Sequence, residues 1–444
     1  MKKLLVLVAA SAAVAFAEAA VTITGVNARQ RWPWNGLVDV DFTIAGANSG
    51  DVFAIDLSAE YAGGDKKIAA YTYTTEPIAG NGSHRVTWNM GKDYPEFRAE
   101  DLCVSVTATP FSGDTPVYMV IDLSGGKDAA KYPVRYTTKA PAHVQGAANE
   151  PCQTTELWMR RIVAPSFAFS VNRYVVEVGD SKDSFWGKMT KDFYVGVFEL
   201  TQEQYRLVMG DWPNSYCTNG LYRASRPAEL TYRTLTGTQE DIQSVPSSIT
   251  SASFLGKLRE KTALSITLPS NIQLNFAARG GTELGSAVDF WQYKLDGVFL
   301  SGAQIARFNA GTTDRNCDTT VGTAYVGSYL PNDYGLYDVV GNVAEYTAER
   351  YCNTGYQGYY KKLFSSDSIG SSKENPVVDP PGVSVEDALY DMGGSTAYYR
   401  RLTRGGYWAA SSVNLWTTDG RKQNATDGSE TAKGIGFRLS MTVE

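Results

Sequence analysis

Two carboxylates in otherwise apolar company limit what this chain can fold into more than any other feature. They are Asp338 and Glu345, the only charged side chains in the stretch Tyr334 to Thr347, YGLYDVVGNVAEYT. A charge withdrawn from water is costly unless it meets a donor or a cation. The stretch reads as a strand running into a Gly-Asn turn, and two arrangements satisfy it. In one, the side-chain oxygens of Asp338 and Glu345 share a hard cation with the carbonyls of Gly341 and Val343, which the turn aims at the same point. In the other, the turn is a plain tight one, with Asn342 left-handed and both acids at the surface.

At 444 residues, 43% hydrophobic and 12% aromatic, the chain has material for two or three packed domains. Residues Met1 to Ala19 have the form of a bacterial-type export signal: Lys2 and Lys3, the apolar run Leu4 to Phe16, then Ala17-Glu18-Ala19 as a small-x-small cleavage site. That run is too short to span a bilayer, so a periplasmic, extracellular or cell-surface location is expected and no membrane span. A net charge of -6 without any basic stripe argues against a nucleic-acid partner. Cys103, Cys152, Cys217, Cys317 and Cys352 are scattered; one or two disulfides suit an exported protein, and the odd number leaves at least one thiol. Only His84 and His143 exist, expected as surface or turn residues, and none follows Pro151. A Ser-His-Asp triad and a His-ligated iron or zinc site are therefore excluded from the larger part of the chain.

From Val21 to about Tyr136 the pattern has period two. Val38, Val40, Phe42 and Ile44 alternate with Asp39, Asp41 and Thr43, and comparable runs recur at Phe53 to Leu57, Val86 to Met90 and Leu102 to Val106, separated by turn residues. Residues 20–136 are thus expected as an Ig-like antiparallel β-sandwich, with Trp32 and Trp34 packed at its edge rather than forming a carbohydrate-stacking patch. Residues 137–155, poor in large apolar side chains, read as a linker. A strand from Phe193 to Leu200 leads to a helix capped by Thr201 with Gln204 in capping-box position and ended by Gly210. A second helix follows Ser251, with Phe254, Leu255 and Leu258 inward. A third runs from Ser270 to Arg279 with Ser270 and Gln273 as its capping box. Beyond Gly281 helical periodicity largely vanishes, and a large loop-rich domain is a setting in which bound cations commonly replace missing ladder hydrogen bonds.

Four segments together resemble the formylglycine-generating, sulfatase-modifying-factor family. They are Asp192 to Met209, LPSNIQLNFAARGG from Leu268, LPNDYGLYDVVGNVAEYT from Leu330, and RGG at Arg404 with GIGFR at Gly434. The resemblance implies an α+β, multidomain chain in which residues 156–444 form an elaborated C-type-lectin-like domain rich in irregular loops. It also implies two structural calcium ions. One would take Asp338, Glu345 and the carbonyls of Gly341 and Val343; the other would take the Asn309 and Asp318 side chains with the carbonyls of Ala310 and Thr320.

Active members of that family oxidise a sulfatase cysteine with Cu(I) held by two cysteines after RGG. Here those positions fall on Ala410 and Leu415, neither of which can ligate copper. Copper is therefore not expected. The expected function is a secreted, non-catalytic binding or structural module with a protein or glycan ligand, presented at Tyr407, Asn414, Trp416 and Asn424, where aromatics mix with small polar groups. The competing reading is an active formylglycine-generating oxidase. A general hydrolase has no nucleophile and base in recognisable arrangement.

Overall fold

A computed structural model describes residues 21–32, 36–47, 52–70, 73, 78–94, 97–98, 101–111, 117–171, 184–218, 222–238, 242–243, 246–280, 294–295, 298–299, 302–311, 320–350, 352, 355–383, 400–409, 420–422 and 433–443. The architecture is mixed α and β, mostly short strands with few helices. Among the described residues no helix is long and apolar enough to cross a membrane. The export-signal segment lies outside them. The chain divides into two compact units: Met1–Ile121 with Ala129–Ala140 and Lys261–Ala263, and Asp122–Asp128 with Pro141–Glu260 and Leu264–Glu444.

In the first unit Leu37–Ala45 lies between Thr22–Gln30 and Gly82–Asn89, antiparallel to both. A second sheet centres on Val52–Tyr61, which pairs with Lys66–Ala69, Ile78–Ala79 and Cys103–Phe111. The alternation in the sequence explains the burial: Val38, Val40, Phe42 and Ile44 are inside, and together with Phe53, Leu57, Trp88 and Val106 they form one apolar cluster. Trp32, expected to pack at the edge, is instead 75% exposed; Trp34 lies outside the described residues. Further along, Tyr118–Asp122 pairs antiparallel with Val134–Thr137.

In the second unit the helices begin where local chemistry stops a strand. Thr201 accepts from Gln204 N and the reciprocal bond closes the capping box, while Gly210, at φ 100, ends the helix Gln202–Met209. The same box, Ser270 with Gln273, starts Asn271–Ala278. Phe254, Leu255 and Leu258 are fully buried on Phe254–Thr262, as their spacing predicts. The strand expected over Phe193 to Leu200 is shorter, Phe193–Gly196. Beyond it the backbone finds other partners, Val197 N donating to Trp158 O and Leu200 N to Phe437 O. Among the helices not foreseen, the longest is Tyr356–Leu363, which buries Tyr356, Tyr359 and Tyr360.

The order of elements around the Gly-Asn turn also differs from expectation. The strand does not run into the turn; it leaves it, as Ala344–Arg350. Gly335 at φ 71 and Asp338 at φ 53 put left-handed residues where a continuous strand would need extended ones. This strand runs antiparallel to Arg400–Arg404 and parallel to Ile435–Gly436, so that Glu345 is in register with Arg404 on one side and Gly436 on the other. The turn motif, RGG and GIGFR are thus neighbours in one sheet. The Leu268 segment joins them through Ala348 N donating to Pro269 O, and Arg404 Nε donating to Asn271 Oδ1 (3.0 Å).

Candidate functional site

The turn itself allows only narrow chemistry. A side chain at Gly341 would collide with the Arg307 carbonyl, and φ is 75 there, so glycine is required. Asn342 takes the left-handed conformation, φ 53, as the tight-turn reading expected. Its N–H donates to Arg307 O (2.9 Å) and its carbonyl accepts from Trp408 N (2.8 Å). Its side chain accepts from Ala324 N (2.8 Å) and donates to Glu199 Oε2 (2.6 Å). Every polar group of this asparagine is therefore engaged in joining separate loops.

The same reading put both acids at the surface; both are buried, each 2% exposed. Glu345 meets Arg438 of the GIGFR segment: Arg438 Nε lies 3.1 Å from both Glu345 oxygens and Nη2 donates to Oε1 (2.8 Å). The remaining guanidinium hydrogens go to the carbonyls of Gly196 (2.8 Å), Val197 (2.9 Å) and Tyr337 (2.7 Å). Asp338 Oδ2 accepts from Gly327 N (2.6 Å), whereas its Oδ1 is buried with no hydrogen-bond partner among the described residues. Glu199 accepts from Val343 N (3.0 Å) as well as from Asn342.

Arg438 bonds Glu345 alone among the three buried carboxylates, with Asp338 and Glu199 within its electrostatic reach. Burial pushes the Asp338 carboxyl up to about 6, with the neighbouring Glu345 charge adding to the rise. Glu199 is raised well above the ordinary glutamate value by its burial and by the charges of Asp338 and Glu345. With all three ionised the group would carry more negative charge than Arg438 balances, and Asp338 Oδ1 has no hydrogen-bond partner among the described residues. A divalent cation fits that deficit, and Asp338 Oδ1 is the atom on which the fit rests. Glu345 can take part only by sharing an oxygen with Arg438. Glu199 was not anticipated; it sits in the strand-to-helix segment as one of many acids, and only the fold carries it to the turn.

The second expected cation set is described in part. Asn309 is exposed with φ 50, Ala310 is buried with its carbonyl accepting from Gly322 N (2.8 Å), and Thr320 is exposed. Asp318 lies outside the described residues, and so do Ala410, Asn414, Leu415, Trp416 and Asn424. Tyr407 is half-buried with its ring edge-on to Trp408. Trp408 is fully buried, its Nε1 donating to Glu229 Oε1 (3.2 Å), and so belongs to the core. Cys217 is disulfide-bonded, whereas Cys103, Cys152 and Cys352 keep their thiols.

The sulfatase-modifying factor enzyme 1-like domain matches residues 187–443, more than half of the chain. The chain belongs to that family. A formylglycine-generating enzyme from Thermomonospora curvata is 30% identical over 128 residues, which are 29% of this chain and 37% of that relative's length. Among solved structures, Treponema denticola variable protein 1 is 20% identical with a TM-score of 0.42, covering 68% of this chain and 99% of that one. CarF is 16% identical with a TM-score of 0.33, covering 64% and 100%. Likenesses this loose add no detail to the site. The family match contains all of the segments that meet around Asn342 from residue 187 onward, and the buried Glu345–Arg438 pair joins two of them.

Proposed function

We propose that this chain is an exported, non-catalytic sulfatase-modifying-factor-like protein, whose calcium-stabilised, C-type-lectin-like domain serves as a binding or structural module. The observation that carries the reading is the chemistry of the segment after Arg404-Gly405-Gly406: alanine and leucine stand at 410 and 415, where the resemblance requires two thiolates. An aliphatic side chain offers no lone pair to Cu(I). The ligand, protein or glycan, would be met by the surface of Tyr407, Asn414, Trp416 and Asn424. The N-terminal unit would be an Ig-like sandwich that holds this domain outside the cell.

Calcium would be held by Asp338 and Glu345 side chains with the carbonyls of Gly341 and Val343. A second ion would be held by Asn309, Ala310, Asp318 and Thr320. When bound it supplies charge, not reaction chemistry: it neutralises the surplus left by Arg438 and ties the turn to its neighbours. The bare Asp338 oxygen supports this assignment.

Elemental analysis of the purified protein tests both parts. Calcium close to stoichiometric, reduced by Asp338→Ala, with no copper retained after reduction and Cu(I) loading, is the expected result. Tight copper lost on replacing Cys317 or Cys352, together with loss of a cysteine thiol from a sulfatase-like peptide, would overturn the reading in favour of a formylglycine-generating oxidase.

A further inference from the structure

The stretch expected as a linker contains a buried cluster that the proposed function does not use. His143, expected at the surface or in a turn, has a side chain only 1% exposed. Its ring sits edge-on to those of Phe198 and Tyr337, with centroids 5.3 and 5.0 Å away. Its Nδ1 faces Glu150 Oε2 in a short contact, and Cys152, itself buried, has Sγ 4.0 Å from the same oxygen. Nδ1, the carboxylate oxygen and the sulfur all lie within 4.8 Å of one another.

The other ring nitrogen determines what this cluster can be. His143 Nε2 is 2.9 Å from the Gly327 carbonyl, an atom that only accepts, so Nε2 carries a proton. A side chain at Gly327 would strike the imidazole, and φ is 80 there, so this approach depends on glycine. With Nε2 protonated, Nδ1 of a neutral ring presents a lone pair to a carboxylate. Two lone pairs repel, so a positive charge must stand between them: either a proton on Nδ1 or a metal ion. An Nε2–H donated to a backbone carbonyl with Nδ1 turned to a ligand cluster is the usual arrangement of a metal-bound histidine.

The geometry points to a site for a borderline divalent ion, Zn2+ by chemical class, held by His143 Nδ1, Glu150 and Cys152 Sγ. Nitrogen, sulfur and oxygen together suit zinc, whereas calcium takes oxygen alone and Cu(I) avoids carboxylate. The charges close: Zn2+ with one thiolate, one carboxylate and a neutral imidazole sums to zero, which a buried location favours. Binding displaces two protons to solvent, the one between Nδ1 and Glu150 and the thiol proton; without an ion, burial and the Glu150 charge hold that thiol up at about 12. Zinc bonds of about 2.0–2.3 Å place neighbouring ligand atoms about 3–4 Å apart, so Nδ1 and Oε2, now in short contact, must open to admit the ion, whereas Cys152 Sγ already stands at such a distance from Oε2. Among the described residues no fourth His, Cys, Asp or Glu joins the group, which leaves one position for water or a carbonyl. The ion would tie the start of the second unit to the Gly327 loop, whose N–H holds Asp338.

Cobalt(II) tests this in the full-length chain. The protein is reduced, stripped with chelator, supplied with excess calcium to fill oxygen-only sites, and titrated with Co2+. One equivalent should give a thiolate-to-cobalt charge-transfer band that Zn2+ displaces. The band should be lost in Cys152→Ser and in His143→Gln and kept in Cys352→Ser. Its absence in the parent, or its persistence in Cys152→Ser, overturns the site. X-ray absorption of the zinc-loaded parent needs no variant that might misfold: one sulfur among lighter neighbours is expected. A shell of oxygen and nitrogen only would leave an imidazolium–carboxylate pair as the content of the cluster.

Discussion

Both units pair arginine with carboxylates, and two of these pairs stand at opposite extremes, Arg85–Asp41 of the first unit in water and Arg438–Glu345 of the second in the core. On the sheet of the first unit, Arg85 clasps Asp41 with bonds of 2.6 and 3.0 Å, and Arg29 approaches the same acid at 3.5 Å, all on an exposed face. In the second unit Arg438 is fully buried and spends every donor on Glu345 and three carbonyls. The hydrogen bonds are of similar length. Their energetic weight is not, because the first pair exchanges protein partners for water whereas the second has no water to fall back on. The comparison teaches that contact geometry does not rank these pairs; the cost of removing one partner does.

The strongest test of that difference is Arg438→Met. It fills the volume with an apolar chain but leaves Glu345, Glu199 and Asp338 buried with no cation. Loss of one partner of a buried pair typically costs about 3–5 kcal/mol. Chemical denaturation should show that loss in the metal-free protein, and saturating calcium should recover part of it. A loss below about 1 kcal/mol would mean that solvent already reaches the pair and that the contrast between the units is false.

A smaller effect is expected at Glu229→Gln, which keeps shape and alters one atom. Glu229 Oε2 accepts from Cys217 N (2.9 Å), while Oε1 accepts from Trp408 Nε1 and Gly434 N (2.7 Å). A glutamine must turn an NH2 toward at least one of these donors, leaving a buried N–H unmatched at a cost of about 1–3 kcal/mol. The denaturation midpoint should fall accordingly with an unchanged slope. An unchanged midpoint would show that a local shift or a water absorbs the mismatch.

What could be read from the sequence follows the distance over which each interaction acts. The capping boxes Thr201/Gln204 and Ser270/Gln273 were legible because each is closed within three residues. The inward set Val38 to Ile44 was legible because the strand period is a local property. The family match was legible because its segments keep their order. Glu199 was not, since its partner Asn342 lies far along the chain and nothing near Glu199 announces it. The burial of Glu345 is matched by Arg438, which the sequence places in a different motif, and that of Asp338 by the Gly327 N–H. The strand was put on the wrong side of the turn because YGLYDVV has apolar spacing, while the left-handed backbone at Asp338 is a tertiary demand. His143 lay in a stretch of small and polar residues, and only the approach of Phe198, Tyr337 and Gly327 encloses it. The helix Tyr356–Leu363 hid behind Gly358 and its tyrosines, which favour strands as readily as helices.

The smallest expected effect lies in the exposed pair, and pH and salt bring out its sign. Hydrogen bonding from Arg85 holds the Asp41 carboxyl below its ordinary 3.8. A carboxyl lowered in the folded state contributes stability that is fully present above the unfolded value and lost as pH falls through the folded one. Glu229 runs the other way: burial raises it above 4.5, so its contribution is present below 4.5 and lost as pH rises through the folded value. Acidification from neutrality to about 4.5 should therefore favour the second unit through Glu229 and leave the Asp41 pair untouched, with that pair weakening only below 3.8. At neutral pH, a double-mutant cycle of Arg85→Ala with Asp41→Ala should return a small coupling that disappears as salt screens it. A coupling that survives molar salt would show that the sheet face excludes water around the pair, and the two regions would then differ in degree rather than in kind.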